Sequence, residues 1–184
     1  QLLRMLSNTP LQIQVDFLQT ASYKSTHTDA NHLKQFYYTF DQIRDRRYDG
    51  MIITGAPLDY VPCEETLYWD EVCKIMEWTK THVHCTFHLC WGAYAGLYYH
   101  FGIEKLDMPK KLFGIYSHEI CKSTSPLFRG FNDHFLAPHS RATDVRLSDI
   151  EAIPELEVMA VTETGSLAIA KTTDSRQFFV TCHA

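Results

Sequence analysis

HVHCTFHLCWGAYAGLYYHF, residues 82–101, passes from a strand into a helix with a cysteine at the joint. Val83 to Leu89 is apolar enough for a short buried strand, and a helix begins near Gly92. A nucleophile at a sharp strand-to-helix turn has its side chain pushed out at the carboxyl edge of a sheet. The first backbone N–H groups of the helix point to the same spot. A helix N-terminus also favours the thiolate, the reactive form of cysteine. Gly92, Ala93, Ala95 and Gly96 let the first turns pack close to the strand and leave room for a substrate. The alternative for Cys90 is a buried structural cysteine, common in α/β cores.

Outward from this stretch, 184 residues suit one domain with a substantial core. The chain is 45% hydrophobic and 21% charged with a net charge of −5. No Lys/Arg cluster accompanies the aromatics, which argues against nucleic acid. No apolar run approaches the roughly 20 residues of a membrane span. The six cysteines (63, 73, 85, 90, 121 and 182) form no regular framework, and the expectation is reduced thiols in a cytoplasm. QLLRMLSNTP begins without Met and already in helical pattern, as expected of a piece of something longer.

In chain order, Gln1 to Ser7 reads as helix, stopped by Asn8-Thr9-Pro10. Leu11 to Leu18 alternates as an edge strand. Thr26 to Ala30 reads as loop and Asn31 to Phe40 as helix, with Leu33, Phe36, Tyr37 and Phe40 on one face. Met51 to Thr54 is a short apolar strand ending in the Gly55-Ala56-Pro57 turn. Glu64 to Thr79 is helical. Gly102 stops the helix after Cys90. Lys111 to Tyr116 is a strand, and Phe128 to Pro138 reads as loop. Glu157 to Val161, Leu167 to Lys171 and Phe178 to Thr181 are strands, the first two joined by a turn at Thr164-Gly165.

Strands alternating with helices imply βαβ units, a mostly parallel sheet and helices on both faces. Ligands of such sheets bind beyond the carboxyl ends of the strands. Three loops of chemical content are expected there: Gly55 to Asp59, Cys90-Trp91-Gly92, and Cys182-His183. They bring a thiol, an imidazole and a carboxylate to one edge. A metal site is the competing constellation, because His82, His84, His88 and Cys90 share parity and HxH is a ligand spacing. Four ligands in line along one strand span too far to converge on one ion, so no metal is expected; His82 and His84 are expected before the strand, in solvent.

YDGMIITGAP, LYWDEV, LCWGAYAGLYYHFGI, KLFGIY, GFNDHFLAPHSR and FFVTCH follow one another along the chain in an order that resembles the homoserine O-acyltransferases, the acetyl- and succinyltransferases that open methionine synthesis. The resemblance implies an α/β fold of the flavodoxin-like, class I glutamine amidotransferase-like kind, a three-layer sandwich with a mostly parallel sheet. It implies one acyltransferase domain over 1–184, lacking the family's first strand and C-terminal segment.

The resemblance further makes Cys90 the acyl-accepting nucleophile and His183 the general base. It gives Lys111 and Ser140 contact with the amino-acid substrate. Asp59 falls where acyl-donor choice is set: a carboxylate goes with acetyl-CoA and glycine with succinyl-CoA. An acidic side chain there would repel the distal carboxylate of a succinyl group, less completely for Asp than for the usual Glu. Backbone N–H groups of Trp91, Gly55 and Ala56 would hold the oxyanion. Arg141 would serve substrate or CoA phosphates, with a structural ion pair as its alternative.

The implied partners are L-homoserine or L-serine and acetyl-CoA or succinyl-CoA, in an enzyme for which a homodimer is open. No cofactor is implied beyond the acyl-CoA co-substrate. The chain departs from the pattern at Tyr94 (usually Gln), Ala142 (usually aromatic) and Cys182 (usually Gly), and the glutamate expected after His183 is absent. The Tyr94 and Ala142 departures leave room for serine as acceptor; the rival readings are hydrolysis or amide transfer as in the amidotransferases, which share the Cys–His arrangement, and an inactive truncated relative kept for binding.

Overall fold

The computed structural model describes residues 2–22 and 35–183. In order the elements are α1 (Leu2–Leu6), β1 (Phe17–Leu18), β2 (Tyr37–Tyr38), α2 (Phe40–Ile43), β3 (Tyr48–Ile53), α3 (Trp69–His82), β4 (Val83–Leu89) and α4 (Trp91–Phe101). β5 (Leu106–Ile120), β6 (His134–Asp144), α5 (Leu147–Glu151), β7 (Leu156–Thr162), β8 (Leu167–Thr172) and β9 (Gln177–Val180) follow. Cys63–Glu65 and Pro126–Phe128 are 3-10 turns.

Seven strands form one sheet in the order β3-β4-β9-β8-β7-β5-β6. Within this sheet parallel pairing is confined to β3, β4 and β9, where the 14-residue helix α3 makes the crossover from β3 to β4. The remaining strands join antiparallel. The β7–β8 connection shows why: Gly165, at φ 79°, closes a tight turn too short for a crossover. The sheet is thus α/β in its first half, and it departs from a mostly parallel one in its second.

Cross-strand pairs fix the register at the centre. Phe87 stacks on Phe178, with centroids 4.7 Å apart, and His88 stacks on Phe179 at 4.9 Å. Adjacent residues of a strand point to opposite faces, so both faces of the β4–β9 pair are aromatic. On one face α4 and α5 bury Ala93, Leu97 and Ile150 against Leu167, Ala170 and Phe179, while Val72 and Met76 of α3 pack beside Trp91 and Ala95 of α4. On the other, Ile169 and Val180 join Phe128, Met159 and Phe135.

Four local expectations change. Only Phe17–Leu18 of the 11–18 stretch is a strand, paired to Tyr37–Tyr38; Leu11 and Ile13 stay exposed. The expected helix 31–40 lies partly outside the described residues. Within them Gln35 and Phe36 are helical as expected, Tyr37–Tyr38 is β2, and the next helix starts at Phe40, where the Gln42 side chain accepts the Thr39 N–H at 2.8 Å. The helix expected from Glu64 begins at Trp69, after the 3-10 turn. Residues 134–138, expected in a loop, open β6, which pairs with β5 from His134 to Asp144.

Candidate active site

β3, β4 and β9 run parallel and nearly level, with Ile53 opposite His88 and Leu89 opposite Val180. Their carboxyl ends deliver Gly55, Cys90 and His183 to one place. The Cys90 backbone has φ 53°, uncommon for a residue with a side chain, and forms the cap of α4. Two bonds hold this turn: Cys90 N–H to the Val180 carbonyl at 2.8 Å, and Ala93 N–H to the Cys90 carbonyl at 2.9 Å. Cys90 Sγ lies 3.7 Å from His183 Nε2.

Glycine is required on both sides of the thiol. A Cβ on Gly55 would sit 2.8 Å from Cys90 Cβ and 3.2 Å from its Sγ. A Cβ on Gly92 would sit 2.6 Å from the Ile53 carbonyl oxygen, which is backbone and cannot swing aside. Gly96 likewise makes room for His88 and Phe179. The small residues after Cys90 are therefore what lets α4 lie against β3 and β9.

Partial burial pushes the Cys90 thiol up; the Trp91 N–H and the Arg141 charge pull it down, and Asp59 adds to the upward push. Trp91 N–H thus faces the sulfur, and Asp59 is within electrostatic reach of it. A cleft of about 300 Å³ opens beside the β3–α3 loop, its lining including Asp59, Tyr60, Cys63, Tyr98 and Lys105.

Arg141 is not where substrate could meet it. Read as a substrate or phosphate ligand, it is instead 1% exposed, on strand β6. Its guanidinium donates to the Tyr94 hydroxyl (2.8 Å), the carbonyls of Thr143 (2.9 Å) and Leu167 (3.3 Å) and His139 Nδ1 (3.1 Å), and it forms an ion pair with the Asp144 carboxylate (2.8 Å). The ion-pair alternative describes it. Arg141 Nε donates to His139 Nδ1, so the His139 proton is on Nε2 and points to His118 Nε2 at 2.8 Å. Burial and the neighbouring Arg141 push His139 down to about 3. Tyr94 and Ala142, the two departures from the family pattern, are both 2% exposed and belong to this packing rather than to an open pocket.

β6 curls back toward the end of β9, since His183 N–H donates to the Pro138 carbonyl at 2.9 Å. Ser140, expected in a loop, is on this strand opposite Phe113 and half-buried. Lys111 is exposed on β5, its Nζ 5.9 Å from the Phe113 ring centroid. Of the histidines weighed for a metal, His82 ends α3 and stacks on Trp78, His84 is exposed within β4 rather than before it, and His88 is buried with Nε2 at 2.7 Å from Gln177 Oε1. No helix among the described residues is long and apolar enough to cross a membrane. Sequence reasoning missed Lys105, whose Nζ donates to the carbonyls of Leu58 (2.8 Å) and Asp59 (2.6 Å). A lone lysine before a strand carries no signal of this.

Comparisons with known proteins agree with the geometry. The homoserine O-succinyltransferase family model matches residues 1–184. A homoserine O-acetyltransferase of Agathobacter rectalis is 52% identical over 183 residues, covering 100% of this chain and 59% of its own length. One from Geobacillus sp. (strain WCH70) is 51% identical, with 100% and 61% covered. The chain therefore spans about three-fifths of the length of these curated relatives. Among solved structures, a glutamine amidotransferase from Thermotoga maritima superposes with a TM-score of 0.65 at 13% identity, covering 94% of this chain and 76% of that one. The glutaminase domain of Trypanosoma brucei CTPS gives 0.57 at 13%, with 73% and 62% covered. The fold is that of the class I glutamine amidotransferases, and the chain belongs to the homoserine O-succinyltransferase family.

Proposed function

We propose that this chain carries the catalytic pair of an enzyme that moves an acetyl group from acetyl-CoA to the hydroxyl of L-homoserine through a Cys90 thioester. The observation that supports it most is the 3.7 Å approach of Cys90 Sγ to His183 Nε2 at the carboxyl edge of the parallel strands. Burial keeps the thiol protonated at rest, so attack needs a base, and His183 is the group in reach.

His183 takes the thiol proton as Sγ attacks the acetyl carbonyl. The N–H groups of Trp91, Gly55 and Ala56 stabilise the oxyanion. Collapse expels the CoA thiolate, which recovers the proton from His183, and leaves acetyl on Cys90. The homoserine hydroxyl then gives its proton to His183 and attacks the thioester. The resulting O-acetyl ester departs and the proton returns to Sγ. Lys111 and Ser140 are the proposed contacts to the amino acid. Asp59, which lines the cleft beside the β3–α3 loop, disfavours a succinyl donor by charge repulsion.

Initial rates measured over a grid of acetyl-CoA and homoserine concentrations test this. Parallel double-reciprocal lines are expected, together with exchange of label between CoA and acetyl-CoA in the absence of homoserine. Intersecting lines with no exchange would mean direct transfer without an acyl-enzyme. Ammonia release from glutamine would mean amidotransferase chemistry.

A further inference from the structure

The turn after β3 carries two proposed tasks at once: Gly55 and Ala56 face the oxyanion, and Asp59 faces the donor. Its own bonds are few. Leu58 N–H reaches the Ala56 carbonyl at 2.8 Å and Val61 N–H reaches the Leu58 carbonyl at 3.3 Å. Neither bond ties the turn to the body of the molecule, which Ala56 and Leu58 meet through apolar packing against the cluster of Val72, Met76 and Trp91. Lys105, three residues beyond the Gly102 stop of α4, adds hydrogen bonds from outside the turn. Its ammonium donates to two successive carbonyls, Leu58 at 2.8 Å and Asp59 at 2.6 Å, across 47 and 46 residues of sequence. The donor is partly buried in the cleft lining beside Cys63, and a hydrogen bond from a charged donor is roughly twice as strong as a neutral one. An ammonium supplies three N–H groups on a flexible stem, enough for both carbonyls at once.

We propose that Lys105 is a positioning residue for acyl-donor selection: it latches the Leu58–Asp59 backbone so that Asp59 is held against the donor and Gly55-Ala56 against the thiol. The inference rests on the acyltransferase reading. It adds to that reading the group that makes the specificity loop rigid, and it predicts that removing the latch changes which donor is used and not only how fast.

The test compares Lys105→Met and Lys105→Arg with the unaltered chain, using acetyl-CoA and succinyl-CoA as probes and reading free CoA release. In Lys105→Met the acetyl rate is expected to fall and the acetyl-to-succinyl ratio of kcat/KM to narrow by about tenfold, the scale of one charge-assisted hydrogen bond. Lys105→Arg, which keeps the charge and the donors, is expected to restore most of the ratio. Equal loss for both donors, with the ratio unchanged, would overturn the proposal. Should the Met variant not fold, Lys105→Gln keeps one N–H donor and is expected to narrow the ratio by about threefold; an unchanged ratio there would also overturn it. Amide exchange over residues 55–61 reads the latch independently of any activity. Faster exchange in Lys105→Met than in Lys105→Arg or the unaltered chain is expected, and unchanged exchange in Lys105→Met would overturn the latch even if the unaltered chain accepted neither donor, an outcome that would instead sink the acyltransferase reading.

Discussion

The guanidinium of Arg141 donates to the hydroxyl of Tyr94 across 2.8 Å, and that bond ties the edge strand β6 to the helix that begins at the thiol. The same guanidinium reaches the Leu167 carbonyl on β8, so one side chain pins β6, α4 and β8 together. β6 in turn supplies the Pro138 carbonyl that holds His183. The proposed base is thus placed by a strand whose position depends on a buried cation.

Replacing that cation is expected to be severe. Arg141→Met takes the cation from the Asp144 carboxylate and one donor each from the Tyr94 hydroxyl, His139 Nδ1 and two carbonyls, at a cost of about 3–5 kcal/mol. Tyr94→Phe removes two hydrogen bonds of the group, the one accepted from Arg141 and the one donated to the Thr143 carbonyl, and is expected to cost about 1–3 kcal/mol. Urea unfolding midpoints of the two variants check both figures; an Arg141→Met midpoint within error of the unaltered protein would contradict the pinning role.

This buried group also marks the limit of what the sequence could tell. The strand 83–89, the Cys90 joint and the Gly102 stop were legible because each is a local signal: an apolar run, a following set of small residues, a glycine at the helix end. Arg141 was not, because its partners come from residues 94, 139, 143, 144 and 167, which only the curled sheet assembles. β6 itself was hidden by Pro138 and by exposed Leu136 in a run that looks like loop. The alternation of 11–18 pointed to a strand, yet a strand needs a partner, and only Phe17–Leu18 finds one. The resemblance named Cys90 and His183; the 3.7 Å between them came from the structure.

Gly55→Ala and Gly92→Ala are expected to part company. The Gly92 methyl would meet the Ile53 carbonyl at 2.6 Å and force backbone apart, destabilising by about 1–3 kcal/mol. The Gly55 methyl meets the cysteine side chain, so its main effect is to displace the oxyanion turn, slowing acylation by about 10²-fold. Thermal midpoints and single-turnover acylation rates separate the two.

Stability is expected to fall as the solution is acidified. Burial holds His88 down to about 4 and His139 down to about 3, both below the unfolded value near 6.5. The unfolded chain therefore binds more protons, and the stability from keeping these rings neutral is complete above about pH 6.5 and lost as pH drops toward 4–3. Each ring contributes a slope of about 1.4 kcal/mol per pH unit in that window. Urea midpoints at pH 7, 6 and 5 read the slope, and His88→Phe, which keeps a ring against Phe179, is expected to flatten it. Equal slopes in the two proteins would contradict the assignment.

His183→Asn is expected to slow acylation of Cys90 by about 10²–10⁴-fold at pH 7, with partial recovery as the pH is raised and hydroxide removes the thiol proton instead. An acylation rate independent of pH in the variant would argue against His183 as the base.

The most direct measurement is peptide-level mass spectrometry of the protein quenched in acid after mixing with acetyl-CoA alone. The account predicts one acetyl group, on the peptide containing Cys90, that disappears when homoserine is added. A protein left unmodified, or an acetyl group on Cys182 or another cysteine with Cys90 free, would contradict it.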